Sequence, residues 1–240
     1  MQHLLSRHPR ITIHGQEPPD LTWGLWLQTV INGAQFARES NAEMNYAKPH
    51  YAGASDRVTA ASGFLRFVRE FLSAGRDSAR WGVKSFLQCR VVIRPILDVW
   101  PDTRWIVCLR DPFRSIESVR NTYDKREVHS LETICRWWTE SAQFAQSCPQ
   151  AMLVQFDRLT TPERRRQMVT KIFQFIDEEP TDAVWRFVDE WPVVHKAVAD
   201  EERSFRLNEA DRHAMLTSNP EFAAQVEELG CLARPQVMHD

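Results

Sequence analysis

Short apolar runs alternate with amphipathic stretches along this chain, and the alternation predicts its elements. Four runs are β-branched or almost continuously apolar, which is typical of strands. They cover residues 10–14, 80–84, 104–109 and 151–156. Between and after them, apolar residues recur at the i, i+3, i+4, i+7 spacing of one helical face. This spacing predicts helices over residues 20–30, 64–72, 87–99, 112–122, 130–147 and 162–176.

Strands that alternate with helices indicate an α/β fold, in which a parallel sheet is covered by helices on both faces. The run 104–109 is apolar at nearly every position, as a strand buried on both faces is. No repeat or low-complexity linker divides the chain, so a single domain over residues 1–240 is predicted. The aromatic stripes around Trp23 and Trp26 and around Phe64 and Phe67 are interpreted as core packing rather than ligand contacts.

Composition narrows the classes of function. Lys and Arg number 30 and Asp and Glu number 32, a net charge of −2. This balance argues against a broad nucleic-acid-binding surface but allows a local cationic pocket. No apolar run approaches the roughly 20 residues of a membrane span, and the first residues do not resemble a signal peptide. The five cysteines include no CxxC pair, which predicts reduced, buried thiols in a cytoplasmic protein without a zinc site.

Polar side chains lie at the carboxyl ends of three predicted strands, where open parallel sheets bind ligands. Glu17 follows the first strand, Lys84 ends the second and Arg110 follows the third. A carboxylate, an ammonium and a guanidinium at one edge suit an anionic ligand together with proton abstraction. The set therefore predicts a site that binds an anionic ligand and abstracts a proton.

Arg110 stands immediately before a predicted helix N-terminus. Asp111 is a good N-cap and Pro112 suits the first helical position. Main-chain N–H groups and the helix dipole favour an anion at such a terminus, and Ser118 lies two turns further into the helix. A pairing of Arg110 with Asp111 or another carboxylate is an equal alternative.

Residues 81–119 carry a more specific pattern, WGVKSF followed by ILDVWPDTRWIVCLRDPFRSIESV. This segment resembles the sulfotransferases that use 3′-phosphoadenosine 5′-phosphosulfate (PAPS). In that family a strand ends in Arg-Asp-Pro or Arg-Asn-Pro, and a Ser follows the Arg by eight residues. The segments LLSRHPRITIHGQE and MLVQFDRLTTPERRRQMVTKIFQFID are similar to other family segments in the same order. The resemblance spans residues 4–177.

The resemblance implies the fold and the chemistry. The fold would be a three-layer, mostly parallel sheet of the P-loop-NTPase-like type, and the co-substrate PAPS would donate a sulfuryl group to a hydroxyl acceptor without a metal. Glu17 would act as the catalytic base. Gln16 occupies the neighbouring place where family members can carry a second Glu, so the register is open by one residue. Lys84 would stabilise the transferring group.

The resemblance also implies a nucleotide site. Arg110 and Ser118 would bind the 3′-phosphate. Arg203 or Arg206 would reach a phosphate from a late segment, although a solvated surface charge is the favoured interpretation for both.

The family's 5′-phosphosulfate loop and first strand are not found in this sequence, which has eight glycines. We expect either that the native protein starts upstream of Met1 or that the chain is an inactive remnant. The alternative function is a non-catalytic nucleotide- or partner-binding module. A P-loop kinase is disfavoured because Gly-Lys-Ser/Thr is absent. The acceptor is left open among small molecules, carbohydrates, lipids and peptides, and would contact residues 20–80.

Overall fold

The computed structural model describes residues 1–15, 80–84, 100–122, 129–160, 162–190 and 204–230, with isolated positions at 59, 62–64, 66–67, 70 and 96–97. These residues combine helices with two parallel sheets of two strands each, an α/β arrangement. The chain divides into two compact units. The first unit comprises Met1–Thr103 with Thr181–Phe187, and the second comprises Arg104–Pro180 with Val188–Asp240. The expected single domain stays a prediction.

The sheet of the first unit joins two segments that are far apart in the chain. Helix α1 (Gln2–Leu5) leads into strand β1 (Ile11–Gly15), which pairs in parallel with β2 (Arg80–Lys84). Strand β2 has the predicted bounds, and β1 begins and ends one residue later than predicted. Gly82 in the middle of β2 faces Ile13, and a Cβ there would lie 2.9 Å from the Ile13 Cδ1 atom. A larger residue at this position would therefore displace the isoleucine.

The sheet of the second unit consists of β3 (Trp105–Leu109) and β4 (Ala151–Gln155), again parallel. Val107 and Leu109 are buried, whereas Cys108 between them is exposed. Because successive side chains of a strand point to opposite faces, the face that carries Cys108 is less covered than the face that carries Val107 and Leu109. The prediction of burial on both faces is therefore wrong at Cys108.

Helices make up most of the rest of the described chain. After β3 come α2 (Pro112–Thr122) and α3 (Leu131–Ser147), and after β4 come α4 (Asp157–Thr160), α5 (Pro162–Phe175), α6 (Asp182–Asp189), α7 (Glu209–Ser218) and α8 (Pro220–Glu228). Helix α3 packs on both β3 and β4, and α5 packs on β4. The fully buried Val154, Val169, Ile172 and Phe173 mark the core between β4 and α5.

Local signals explain where several helices start and stop. Ser130 accepts a hydrogen bond from the Thr133 N–H at 3.1 Å, so α3 starts one residue after this N-cap. Helix α5 ends at Phe175, and the turn after it contains Asp177, whose φ is 53°. There the Glu178 N–H donates to the Phe173 carbonyl at 2.9 Å and the Asp177 N–H donates to Gln174 at 3.1 Å. This is the Schellman arrangement, with Asp in the place usually taken by Gly.

The predicted aromatic core stripe fails at Phe67, which is 58% exposed. Among the described residues of this helical stretch, positions 59, 63, 66, 67 and 70 are all exposed. Positions 63, 66, 67 and 70 have the spacing of a single helical face, so this face is turned to solvent and carries Phe67 with it. Phe64 is half-buried, with its ring 6.4 Å from that of Phe67. Trp23 and Trp26 lie outside the described residues.

The thiols match the predicted pattern in part. Cys108, Cys135 and Cys148 are free, but only Cys135 is buried. Cys148 is half-buried and Cys108 is exposed, which corrects the expectation of buried thiols at these two positions. Cys89 and Cys231 lie outside the described residues.

Candidate functional site

The carboxyl-terminal edge of the first sheet carries Lys84. Because β1 and β2 are parallel, both strands end at this edge, and Gly15 is the register partner of Lys84. The Lys84 side chain is exposed there. Gln16 and Glu17 follow Gly15 directly in the sequence but lie outside the described residues, so the base at Glu17 stays a prediction.

The corresponding edge of the second sheet carries Arg110. Leu109 and Gln155 are register partners at the ends of β3 and β4, and Arg110 and Phe156 are the next residues. The Phe156 N–H donates to the Leu109 carbonyl at 2.7 Å, which extends the pairing by one bond. The Arg110 Cζ atom lies 5.8 Å from the centroid of the Phe156 ring. A cation over an aromatic face is attracted to it, so this contact helps to orient the guanidinium at the edge of the sheet.

The main chain of Arg110 is held by side chains of α3 and α2. Its carbonyl accepts from the Trp138 Nε1–H at 3.1 Å and from the Ser115 hydroxyl at 3.5 Å. Trp138 is buried, and its ring stands edge-on to Phe222 of α8 at 5.7 Å. Sequence reasoning placed Trp138 in a helix but gave it no link to Arg110, because the two residues are 28 positions apart.

Helix α2 begins as predicted, with Asp111 as its N-cap. The Asp111 Oδ1 atom accepts from the Arg114 N–H at 2.9 Å, and the Asp111 carbonyl accepts from the Ser115 N–H at 2.9 Å. The chain's own carboxylate thus already bonds one of the N–H groups that were expected to attract an external anion. An anion near Arg110 would depend more on the guanidinium than on the helix terminus.

Ser118 is half-buried on α2. It follows Asp111 by seven residues, so it lies on the same side of the helix, about 10 Å further along the axis in an ideal α-helix. Arg110 and Ser118 therefore belong to one strand–helix connection within the second unit.

Residues 204–207, which belong to the late segment proposed to reach a phosphate, lie in the same unit. Arg206 is exposed, and its neighbours Phe205 and Leu207 are bonded through their main chains to Asn121 and Glu117 of α2. Arg203 lies outside the described residues. Sequence reasoning missed Glu117 and Asn121, because partners 84 to 90 residues away leave no periodic signal.

The described residues provide neither a cluster of metal ligands nor an apolar helix of membrane-spanning length. No group of three or more His, Cys, Asp or Glu side chains in this part of the chain is placed to hold a metal ion. Nor does any helix there combine the length and apolarity needed to span a membrane.

Comparisons with known proteins leave the family open. No protein-family model matches this chain, and no curated protein matches it. Function is therefore inferred from the residues and their geometry.

Proposed function

We propose that this chain is a sulfotransferase that moves a sulfuryl group from PAPS to a hydroxyl acceptor. One observation carries the proposal: each parallel strand pair ends in a basic residue at its carboxyl edge. Lys84 is the last residue of β2, and Arg110 follows β3 and precedes Asp111, the N-cap of α2. Ligands of parallel sheets bind beyond these ends, and a sulfated nucleotide is polyanionic.

The proposed reaction is an in-line displacement at sulfur. The acceptor oxygen forms a bond to sulfur while the bond from sulfur to the 5′-phosphate oxygen breaks, and adenosine 3′,5′-bisphosphate leaves. The acceptor proton passes to the Glu17 carboxylate. Lys84 offsets the negative charge that develops on the bridging oxygen. As in phosphoryl transfer, positioning and charge stabilisation supply most of the rate enhancement.

Arg110 and Ser118 are proposed to bind the 3′-phosphate. The guanidinium presents a planar set of donors that suits phosphate oxygens, and a hydroxyl two turns into α2 adds one more. The anchoring of the Arg110 carbonyl by Trp138 supports this role, since a fixed main chain limits where the guanidinium can reach. Arg206 is proposed to contribute from the late segment.

The finer fold is part of the same proposal. It is a three-layer, mostly parallel sheet with helices on both faces, of the P-loop-NTPase-like type. Two features support it: both strand pairs are parallel, and β4 is contacted by both α3 and α5.

The proposal is tested by binding and by transfer. Calorimetry with adenosine 3′,5′-bisphosphate should detect binding, and Arg110→Ala should raise Kd about tenfold or more, since a charge-assisted pair is lost. Arg164→Ala is the matched control, because Arg164 is exposed on α5 and should leave Kd unchanged. Ser118→Ala should weaken binding by a smaller factor.

Transfer of labelled sulfate from PAPS to a panel of phenols, sugars and tyrosine peptides distinguishes the activities. Lys84→Ala and Glu17→Gln should each lower kcat about 10²-fold or more while leaving bisphosphate binding nearly unchanged. Binding without any transfer would assign the chain to the non-catalytic nucleotide-binding class. Absence of both binding and transfer would refute the proposal.

A further inference from the structure

The C-terminal half of α2 buries three polar side chains. Glu117, Arg120 and Asn121 are only 7%, 7% and 6% exposed. Buried polar groups are costly unless their hydrogen bonds are satisfied, so each needs a partner. For Glu117 and Asn121 these partners include the main chain of residues 204–207.

The side-chain amide of Asn121 uses its full hydrogen-bonding capacity. Its Nδ2 group donates to the Phe205 carbonyl at 2.9 Å and to the Glu117 carbonyl at 2.7 Å. Its Oδ1 atom accepts from the Phe205 N–H at 3.1 Å and from the Ser204 hydroxyl at 3.3 Å. An Asn side chain offers two donors and two acceptor positions, and here all four are used. Both main-chain groups of Phe205 are thus bonded to one side chain.

Glu117 bonds the main chain of the residue that follows Arg206. Its Oε1 atom accepts from the Leu207 N–H at 3.1 Å and lies 3.8 Å from the Arg212 Nη2 atom. Leu207 is itself buried. The main chain is therefore fixed to α2 immediately before and immediately after Arg206.

The helix places this attachment beside Ser118. Glu117 and Asn121 are four residues apart and share one face, while Ser118 and Asn121 are three apart and are neighbours on the helix surface. The same helix begins two residues after Arg110. Helix α2 therefore connects three of the residues that the proposed nucleotide site uses.

We infer that Asn121 and Glu117 are positioning residues, which fix the main chain around Arg206 to α2 so that Arg206 and Ser118 meet the same nucleotide phosphate. This inference rests on the proposed function. It assigns Asn121 and Glu117 no contact with the nucleotide. Their effect on binding passes through Arg206.

A double-mutant cycle tests this route, because coupled residues are non-additive. The measurement is the Kd of adenosine 3′,5′-bisphosphate for the full chain, well below the unfolding temperature of every variant. Asn121→Ala should raise Kd about tenfold in the parent but less than about twofold in the Arg206→Ala background. Additive effects in the two backgrounds would overturn the inference.

Three further variants separate positioning from stability. Glu117→Gln keeps an acceptor for the Leu207 N–H, so its Kd should change less than about threefold. Ile172→Val is the control for lost stability, since it trims the fully buried α5 core and should leave Kd unchanged. If Asn121→Ala does not fold, Asn121→Asp keeps the acceptor oxygen, loses both Nδ2 donations and should give an intermediate rise in Kd.

Hydrogen exchange gives a readout that does not depend on the nucleotide. The Phe205 amide should lose protection in Asn121→Ala while amides in α5 keep theirs. If the parent binds the bisphosphate and Asn121→Ala binds it equally well, the inference fails and the proposed function stands. If the parent does not bind it at all, both fail.

Discussion

The indole N–H of Trp138 donates to the main-chain carbonyl of Arg110 at 3.1 Å, joining the centre of α3 to the end of β3. Trp138 is also part of an aromatic cluster, since its ring and that of Phe113 both stand edge-on to Phe222. The residue that is proposed to meet an anion is thereby anchored in the hydrophobic core.

Replacing Trp138 with Phe should remove this bond while keeping an aromatic ring in the cluster. The half-buried Arg110 carbonyl then retains the weaker Ser115 contact, so the free energy of unfolding should fall by about 1 kcal/mol. Urea denaturation measures this. The control is Trp137→Phe, because Trp137 is half-buried and its ring stands edge-on to that of His129, with the centroids 4.7 Å apart. A decrease in the free energy of unfolding that is as large in Trp137→Phe as in Trp138→Phe would contradict the anchoring role.

Arg165 should be among the most sensitive positions of the second unit. It is 6% exposed, and it donates through Nε to the Leu159 carbonyl at 2.7 Å and through Nη1 to the Val188 carbonyl at 3.1 Å. Arg165→Met leaves both carbonyls without these donors and should cost about 2–4 kcal/mol of unfolding free energy. Arg165→Lys should restore little, because a single ammonium cannot reproduce the two-point geometry.

The neighbouring Arg166 provides the comparison for Arg165. It forms an exposed ion pair with Asp189, so Arg166→Met should cost no more than about 0.5 kcal/mol. Equal thermal shifts for Arg165→Met and Arg166→Met would show that burial of Arg165 does not determine its contribution.

Asp177→Gly should stabilise the protein slightly. Asp177 has a φ of 53°, a left-handed conformation that glycine adopts without a Cβ penalty. The change also removes an exposed ion pair with Arg104 and adds freedom to the unfolded chain, so the net gain should be about 0.5 kcal/mol. Asp177→Asn isolates the ion pair, because Asn tolerates the same φ without the charge. A loss of stability in Asp177→Gly larger than in Asp177→Asn would contradict this assignment of the strain.

The free energy of unfolding should decrease as the pH rises from 9.0 to about 11, in part because of the Cys135 thiol. Burial raises the pKa of the Cys135 thiol from 9.0 to about 11; a backbone hydrogen bond opposes this shift and the nearby Glu132 carboxylate adds to it. Between these values the unfolded chain has released the thiol proton and the folded chain has not, so stability decreases as pH rises.

The matched variant is Cys135→Ala, which lacks this titration. Denaturation of both proteins at pH 8 and at pH 10.5, under reducing conditions, should show the stability advantage of the parent shrinking at the higher pH. Parallel pH profiles for the two proteins would rule out a contribution from this thiol.

Elements with local signals were predictable from the sequence. Asp111 and Ser130 cap the helices that they were expected to start or precede, and both strand pairs lie within one residue of the predicted bounds. These features depend on neighbours within a few residues, which periodicity and capping rules describe directly.

Non-local features were not predictable in the same way. The hydrogen bonds from the Asn121 side chain to the Phe205 main chain join positions 84 residues apart. From the sequence, Asn in a helix indicates only a weak helix former. Arg165 lies in the charged run PERRR, where pattern alone does not tell the buried arginine from its exposed neighbours. Of the candidate site, Lys84, Arg110, Ser118 and Arg206 have described positions, whereas Glu17 and Arg203 stay sequence-based expectations.

The parallel pairing of the strands also bears on how the chain folds. Partners in β1 and β2 are 69 residues apart, from Ile11 to Arg80, whereas partners in β3 and β4 are 46 apart, from Trp105 to Ala151. Closing the shorter loop costs less chain entropy, and α3 forms locally within it. Because this entropy grows only with the logarithm of loop length, the difference is about 0.4 kcal/mol, and we expect the β3–α3–β4 unit to be favoured only slightly over the N-terminal strand pair in forming first.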